Sequence, residues 1–203
     1  MRTALAAAFI VLAAAPQAMA SDGSSIRYFF SMGPVMRKAP SELGNLDRLS
    51  SGTYQARILQ APEGLFDHDF GLRWRAGLEL GSPLFVALDA GFGVIYLPEG
   101  PQMSAPFREG SSATVLAVAG LRGHVGRTVL AAELAGGFRE FTYCIGESVD
   151  THDYYTGLQK VAEVRVRAEQ RVSRHALIGA TLGTSLIDPG AWVGALDVTF
   201  HSP

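Results

Sequence analysis

The sequence predicts an all-β chain, an eight-stranded antiparallel up-and-down transmembrane β-barrel. Three observations carry that expectation. Apolar and polar residues alternate with period two through eight segments, most of them 9–16 residues long. A soluble strand usually has about 5–6 residues, whereas a tilted membrane strand needs roughly 9–11. Short and long connections alternate between the segments, so eight strands leave both termini on the short-turn side. The chain is also 48% hydrophobic, yet no run of 18 or more apolar residues follows residue 20, so no membrane-spanning helix is available.

Composition narrows the classes further. A length of 203 residues fits one domain, or at most two small ones. The apolar content excludes wholesale disorder. A single cysteine excludes an internal disulfide framework and a multi-cysteine metal or cluster site. A net charge of -2 and a pI near 6.2 give no reason to expect nucleic acid as a partner.

The first twenty residues read as an address. Met1, Arg2 and Thr3 are followed by the apolar run 4–15 and by Pro16 and Gln17. Ala18-Met19-Ala20 places small residues where a signal peptidase cuts, so residues 1–20 are expected as a cleaved signal peptide and 21–203 as the barrel domain. Ser21 stands where a lipoprotein anchor would need cysteine.

The strands follow in order. Residues 26–33 set Tyr28, Phe30 and Met32 against Arg27, Phe29 and Ser31. Residues 70–80 set Phe70, Leu72, Trp74, Ala76 and Leu78 against Arg73, Arg75, Gly77 and Glu79. Residues 84–96 set Leu84, Val86, Leu88, Phe92 and Tyr96 against Phe85, Asp89 and Gly93. In 113–125, Val115, Ala117 and Leu121 oppose Thr114, Arg122 and His124. In 128–143, Leu130, Leu134 and Phe138 oppose Glu133, Arg139 and Tyr143. The sharpest case is 158–171, where Ala162, Val164, Val166 and Ala168 oppose Glu163, Arg165, Arg167, Glu169 and Arg171. Residues 176–187 set Ile178, Ala180 and Leu182 against Gly179, Thr181 and Gly183, and 192–200 set Trp192, Leu196, Val198 and Phe200 against Ala195, Asp197 and Thr199.

The connections at 81–83, 126–127 and 173–175 are tight, whereas 34–65, 97–112 and 145–156 are long. Residues 188–190 form a fourth, short connection on the long-loop side. Period two alone does not say which face is inside, so a soluble periplasmic barrel or sandwich stays open. Lipid is favoured because the apolar face carries no mid-strand charge. Its aromatics also cluster near its ends: Phe70, Phe92, Tyr96, Phe138 and Trp192 at one, Tyr28 and Phe200 at the other.

The pattern resembles the small eight-stranded outer-membrane barrels of the OmpA/OmpX type, over about residues 25–201. Its most specific part is the last strand, where Trp192, Leu196, Val198 and Phe200 match the closing alternation that the family's assembly machinery reads. The family usually stops at the aromatic, whereas here His201, Ser202 and Pro203 follow. No peptidoglycan-binding domain is expected. The resemblance implies the bacterial outer membrane as location, outer-membrane lipid, lipopolysaccharide and the assembly machinery as partners, and a monomer.

With the apolar face in lipid, the lumen receives Arg27, Arg73, Arg75, Glu79, Asp89, Arg122, His124, Glu133, Arg139, Glu163, Arg165, Arg167, Glu169, Arg171 and Asp197. An eight-stranded lumen is just wide enough for side chains to fill, and buried charges must be paired. An ion-pair plug is therefore expected, with a narrow arginine-lined pore as the rival. Asp67-His68-Asp69 and Asp150, His152 and Asp153 lie near the loop ends. They read as solvated rim residues, with metal binding or hydrolysis as the sharper alternative. The resemblance extends loosely to barrels that modify lipid A, but the His-x-Ser pattern of a lipid A deacylase is lacking in the strand bodies. Cys144 reads as an idle thiol. Leu43, Leu46 and Leu49 suggest a short helical turn capped by Ser41, and 54–60 a further strand piece outside the membrane count. The expected role is structural or adhesive, through 34–65, 97–112 and 145–156, with no catalysis, cofactor or metal. A pore, a rim hydrolase and a soluble binding barrel remain the rivals.

Overall fold

The computed structural model of the chain describes residues 26–38, 47–49, 68–81, 83–96, 107–148, 151–188 and 190–202. The leader segment 1–20, Asp67, Asp150 and residues 54–60 lie outside them. The elements are β1 (Arg27–Arg37), β2 (Asp47–Leu49), β3 (His68–Glu79), β4 (Leu84–Tyr96), β5 (Phe107–Val125), β6 (Thr128–Ser148), β7 (Thr151–Arg171), β8 (Ala176–Ser185) and β9 (Trp192–His201). The long strands pair antiparallel with their neighbours in sequence, and β9 returns to β1, so eight of them close into a ring. Closure matters physically: hydrocarbon offers no partner to an open row of N–H and C=O groups.

The register sets the shape. From Met32, the cross-strand partners run through Trp74, Ala90, Val115 and Phe138 to Lys160 on β7. In the other direction they run through Val198 and Ile178 to Gln170. The two endpoints differ by ten residues (170 − 160), which is the shear of the barrel. With strands about 4.8 Å apart and a rise of about 3.3 Å per residue, this gives a tilt of about 41° and about 2.5 Å of height per residue.

Those heights locate the apolar band. With Met32, the centre of β1, as mid-height, Phe70, Phe92, Phe138 and Trp192 lie about 11–13 Å towards the long-loop side. Tyr28 and Phe200 lie about 8–10 Å towards the short-turn side. All six are exposed on the outer face, and they bracket the roughly 25 Å band of an outer-membrane barrel. Between them the outer face is apolar and open, with Leu88 55%, Leu134 60% and Leu196 60% exposed. Lys160 and Glu140, the charged residues on this face of β6 and β7, stand about 15–18 Å above mid-height, outside the band. The chain is a transmembrane β-barrel, apolar outside and charged inside.

Several boundaries differ from the sequence expectation. Within the expected 145–156 loop, residues 145–148 continue β6 and 151–156 belong to β7, with Ile145 opposite Asp153 and Gly146 opposite His152. β5 begins at Phe107, within the expected 97–112 loop, opposite Gly146. β2 adds a short strand outside the ring, pairing Leu49 with Tyr154, so Leu49 is extended and not helical. A hairpin in water need not keep one face apolar, so the alternation lapses while the ladder continues. At about 2.5 Å per residue, Ser148 stands about 37 Å above mid-height, well beyond the band. β1 also runs past Pro34 to Arg37; Pro34 is tolerated because the β1–β9 pairing skips Gly33 and Pro34.

The band makes a depth-dependent expectation. Leu88→Arg, near mid-height, should lower the unfolding free energy in lipid vesicles by about 2–4 kcal/mol. Val94→Arg, level with Lys160 just above the band, should cost about 0–1 kcal/mol. Urea unfolding followed by tryptophan fluorescence checks this, and equal costs at both depths would refute the lipid-facing assignment.

Candidate functional site

The lumen is built from the faces that alternate with the lipid belt: odd-numbered positions of β1, β3, β4, β6, β7, β8 and β9, and even-numbered positions of β5. Seven arginines are buried there: Arg37, Arg73, Arg75, Arg122, Arg139, Arg165 and Arg167. Six buried carboxylates face them, Asp69, Asp89, Glu133, Glu163, Glu169 and Asp197. The half-buried Glu79 makes the signs equal.

Arg75 holds the centre. Its Nε and Nη2 donate to Asp89 at 2.5 and 3.0 Å, and its Nη1 and Nη2 to Glu133 at 2.7 and 2.8 Å. Asp89 is shared, because Arg165 also donates to its Oδ2, at 2.6 Å, from across the lumen. Arg165 also donates to Glu163 at 2.7 Å. Arg73 pairs with Asp197 and donates to Thr181 at 3.1 Å. Arg167 donates to Thr199 at 2.6 Å and pairs with Glu169 at 2.8 Å. Towards the short-turn mouth, Arg122 pairs with Glu79 and lies 3.6 Å from Glu169, while His201 meets Glu79 at 3.0 Å. These bonds link β3, β4, β5, β6, β7, β8 and β9 across the barrel.

One side of the lumen is apolar. Phe29, Phe85, Leu116, Val118, Ala131 and Ala135 pack together there, the two rings edge to face at 6.0 Å. Each ring covers a glycine directly across the ladder, Phe29 on Gly77 and Phe85 on Gly120. A Cβ at either glycine would collide with the ring above it, so these positions need the smallest residue.

The expected site residues divide into two groups. Arg73, Arg75, Asp89, Arg122, Glu133, Arg139, Glu163, Arg165, Arg167, Glu169 and Asp197 are buried in the lumen. Arg27, His124 and Arg171 are instead exposed at the short-turn mouth, because their strands end there and the ring opens to water. Arg171 was expected among the interior ion pairs and makes none with the described residues. Two lumen residues escaped the sequence reading. Arg37 lies beyond Pro34, past residues 26–33 that the alternation marks as the strand. Asp69 belongs in sequence to the rim cluster 67–69, yet it is buried and accepts from Ser112 at 2.5 Å. Its neighbour His68 takes the opposite face and meets the Trp192 ring at 5.9 Å. The ladder therefore puts His68 and Asp69 on opposite sides of the wall. Trp192, Leu196, Val198 and Phe200 all face outward on β9.

No protein-family model matches the sequence, and no curated protein sequence matches it. Solved structures do. Outer membrane protein OprG from Pseudomonas aeruginosa aligns with a TM-score of 0.56 at 11% identity, covering 88% of this chain and 97% of that one. Ail, the attachment invasion locus protein of Yersinia pestis, in complex with the heparin analogue sucrose octasulfate, aligns with a TM-score of 0.50 at 10% identity, covering 88% and 99%. At this identity the likeness is one of fold: the chain has the fold of the small eight-stranded outer-membrane barrels.

Removing one partner of a buried ion pair strands the other, at a cost of about 3–5 kcal/mol. Asp89→Ala leaves Arg75 with Glu133 and Arg165 with Glu163, but removes the carboxylate they share and leaves one buried positive charge in excess, so it should lower the unfolding free energy by about that amount. Arg171→Ala, exposed and without a salt bridge to any described residue, should stay within about 0.5 kcal/mol. Equilibrium unfolding of both variants in detergent or lipid checks the contrast.

Proposed function

We propose that the chain is an integral protein of the bacterial outer membrane, with a lumen plugged by ion pairs and a structural or adhesive role carried by its long-loop end. The observation that carries this reading is the asymmetry of the barrel. One end stops at tight turns close to the apolar band. At the other end β5, β6, β7 and β2 continue well beyond it as a sheet. A rigid projection of this kind presents a surface to whatever lies outside the membrane. The Ail structure, an attachment invasion locus protein by name, shares the fold, but the adhesive reading rests on the projection and not on that likeness.

The plug reading is supported by the equal numbers of guanidiniums and carboxylates and by the Phe29–Phe85 wedge beside them. Trp192, Leu196, Val198 and Phe200 remain the proposed assembly signal, residues 1–20 the proposed leader, and the protein a proposed monomer without catalytic activity.

Two outcomes are expected. The protein should be recovered in membranes that resist carbonate extraction, and in planar bilayers it should show no steady unit conductance. Steady conductance would favour the pore instead. Replacing residues 142–156 by a two-residue turn joins Phe141 to its partner Gly157 without changing the register. That variant should keep heat-modifiable gel migration and lose adhesion of the expressing cells to surfaces. Unchanged adhesion would remove the projection from the proposal.

A further inference from the structure

The short-turn mouth holds an arrangement that the structural role does not use. A cavity of about 420 Å³ opens there, and its lining includes four arginines from four separate parts of the ring. Arg27 comes from the start of β1, Arg122 from β5, Arg171 from the end of β7 and Arg174 from the β7–β8 turn. Glu79 is the single carboxylate in the lining. It is already engaged, because Arg122 and His201 both hold it. Arg27, Arg171 and Arg174 make no salt bridge with the described residues. His124, His175 and His201 add imidazoles to the same wall.

Three guanidiniums with no salt bridge to any described residue therefore converge on one concave mouth. Such a shape focuses a positive field and raises the local concentration of anions. A guanidinium presents paired N–H donors that match the oxygens of a phosphate two at a time. The volume falls in the range of small-ligand sites. Arg122, buried at the floor and fixed by Glu79 and Glu169, cannot fold away from an incoming anion without breaking those pairs.

We infer that the short-turn mouth is an anion-binding site that takes a phosphate-bearing group, held by Arg27, Arg171 and Arg174 above the Arg122 floor. The group could arrive on a soluble molecule or as the headgroup of an anionic phospholipid in the surrounding leaflet. The chemistry is the same, and the inference is independent of the adhesive role at the other end.

The test uses the full folded protein in maltoside micelles, which carry no phosphate of their own. One arm titrates inorganic pyrophosphate by calorimetry at low ionic strength. The other adds phosphatidylglycerol, with phosphatidylcholine as the zwitterionic comparison. Binding in either arm is expected, and the arm that responds identifies the source. The double variant Arg171→Gln/Arg174→Gln should weaken it at least tenfold while retaining heat-modifiable migration. Arg127→Gln, at the same end in the β5–β6 turn but outside the cavity lining, should leave it within about twofold. Raising the salt to 0.5 M should weaken it, since exposed charges are screened over a few ångströms there. No binding in either arm would overturn the inference. So would an equal loss in Arg127→Gln, which would mean general surface charge.

Discussion

A guanidinium inside an eight-stranded barrel has no bulk water to fall back on, so its carboxylate must come with it. Arg73, Arg75 and Arg165 are each at most 1% exposed. The desolvation penalty for each is several kcal/mol, and a well-made pair only roughly offsets it. The pairs are thus a condition for the fold more than a surplus of stability. They also tie distant strands together. Asp89 on β4 meets Arg75 on neighbouring β3 and Arg165 on β7 from across the lumen. A slip of β3 by one residue would carry Arg73 and Arg75 into lipid, where each charge near mid-height costs about 2–4 kcal/mol. The polar interior and the apolar belt are therefore one constraint, applied on alternate residues.

The belt follows from the same alternation. Leu88, Leu134 and Leu196 would be a liability on a soluble surface at this density. In hydrocarbon they are matched to their surroundings, and closure of the ladder leaves no strand of the ring with an open edge, the β1–β9 pairing lapsing only at Gly33 and Pro34 among the described residues. The shear then decides which residues share a height. It brings Phe70, Phe92, Phe138 and Trp192, which lie far apart in sequence, onto nearly one level at the interface. Aromatic rings suit that level because their faces tolerate both acyl chains and headgroups.

Most of this was legible in the residues, because membrane strands must obey the period strictly. The run Ala162 to Arg171 and the run Phe70 to Leu80 each declare both faces without help from the structure. What escaped did so for identifiable reasons. Pro34 reads as a strand end, since it cannot donate to a ladder, but it sits where the pairing to β9 lapses, and Arg37 was lost behind it. Asp69 carries the same parity as Arg73 and Arg75, yet the run of titratable neighbours 67–69 drew it to the rim. The projecting hairpin was the hardest to see. Outside lipid neither face has to be apolar, so 145–156 reads as a loop although its described residues pair across the ladder, with one irregularity between Gly146 and Ser148. The mouth residues Arg27 and Arg171 obey the period too. Their difference from Arg73 and Arg75 is one of height along the axis, which depends on the shear and is invisible in any single strand.

Height also separates the two questions that the lumen raises, stability and permeation. Near mid-height the charges balance, and Arg75, Asp89, Glu133, Arg165 and Arg167 reach across the ring. The cavity at the short-turn mouth ends at Arg122, and the one near the long-loop side, beside Arg139 and Glu163, measures about 30 Å³, room for a water or two. Between them the Phe29, Phe85 and Leu116 side is filled by groups that no charge holds in place. Breaking a single ion pair removes a constraint on one part of the cross-section and leaves the apolar part occupied. The proposed seal therefore depends on two unlike materials, and the ionic one should fail as a source of stability before it fails as a barrier.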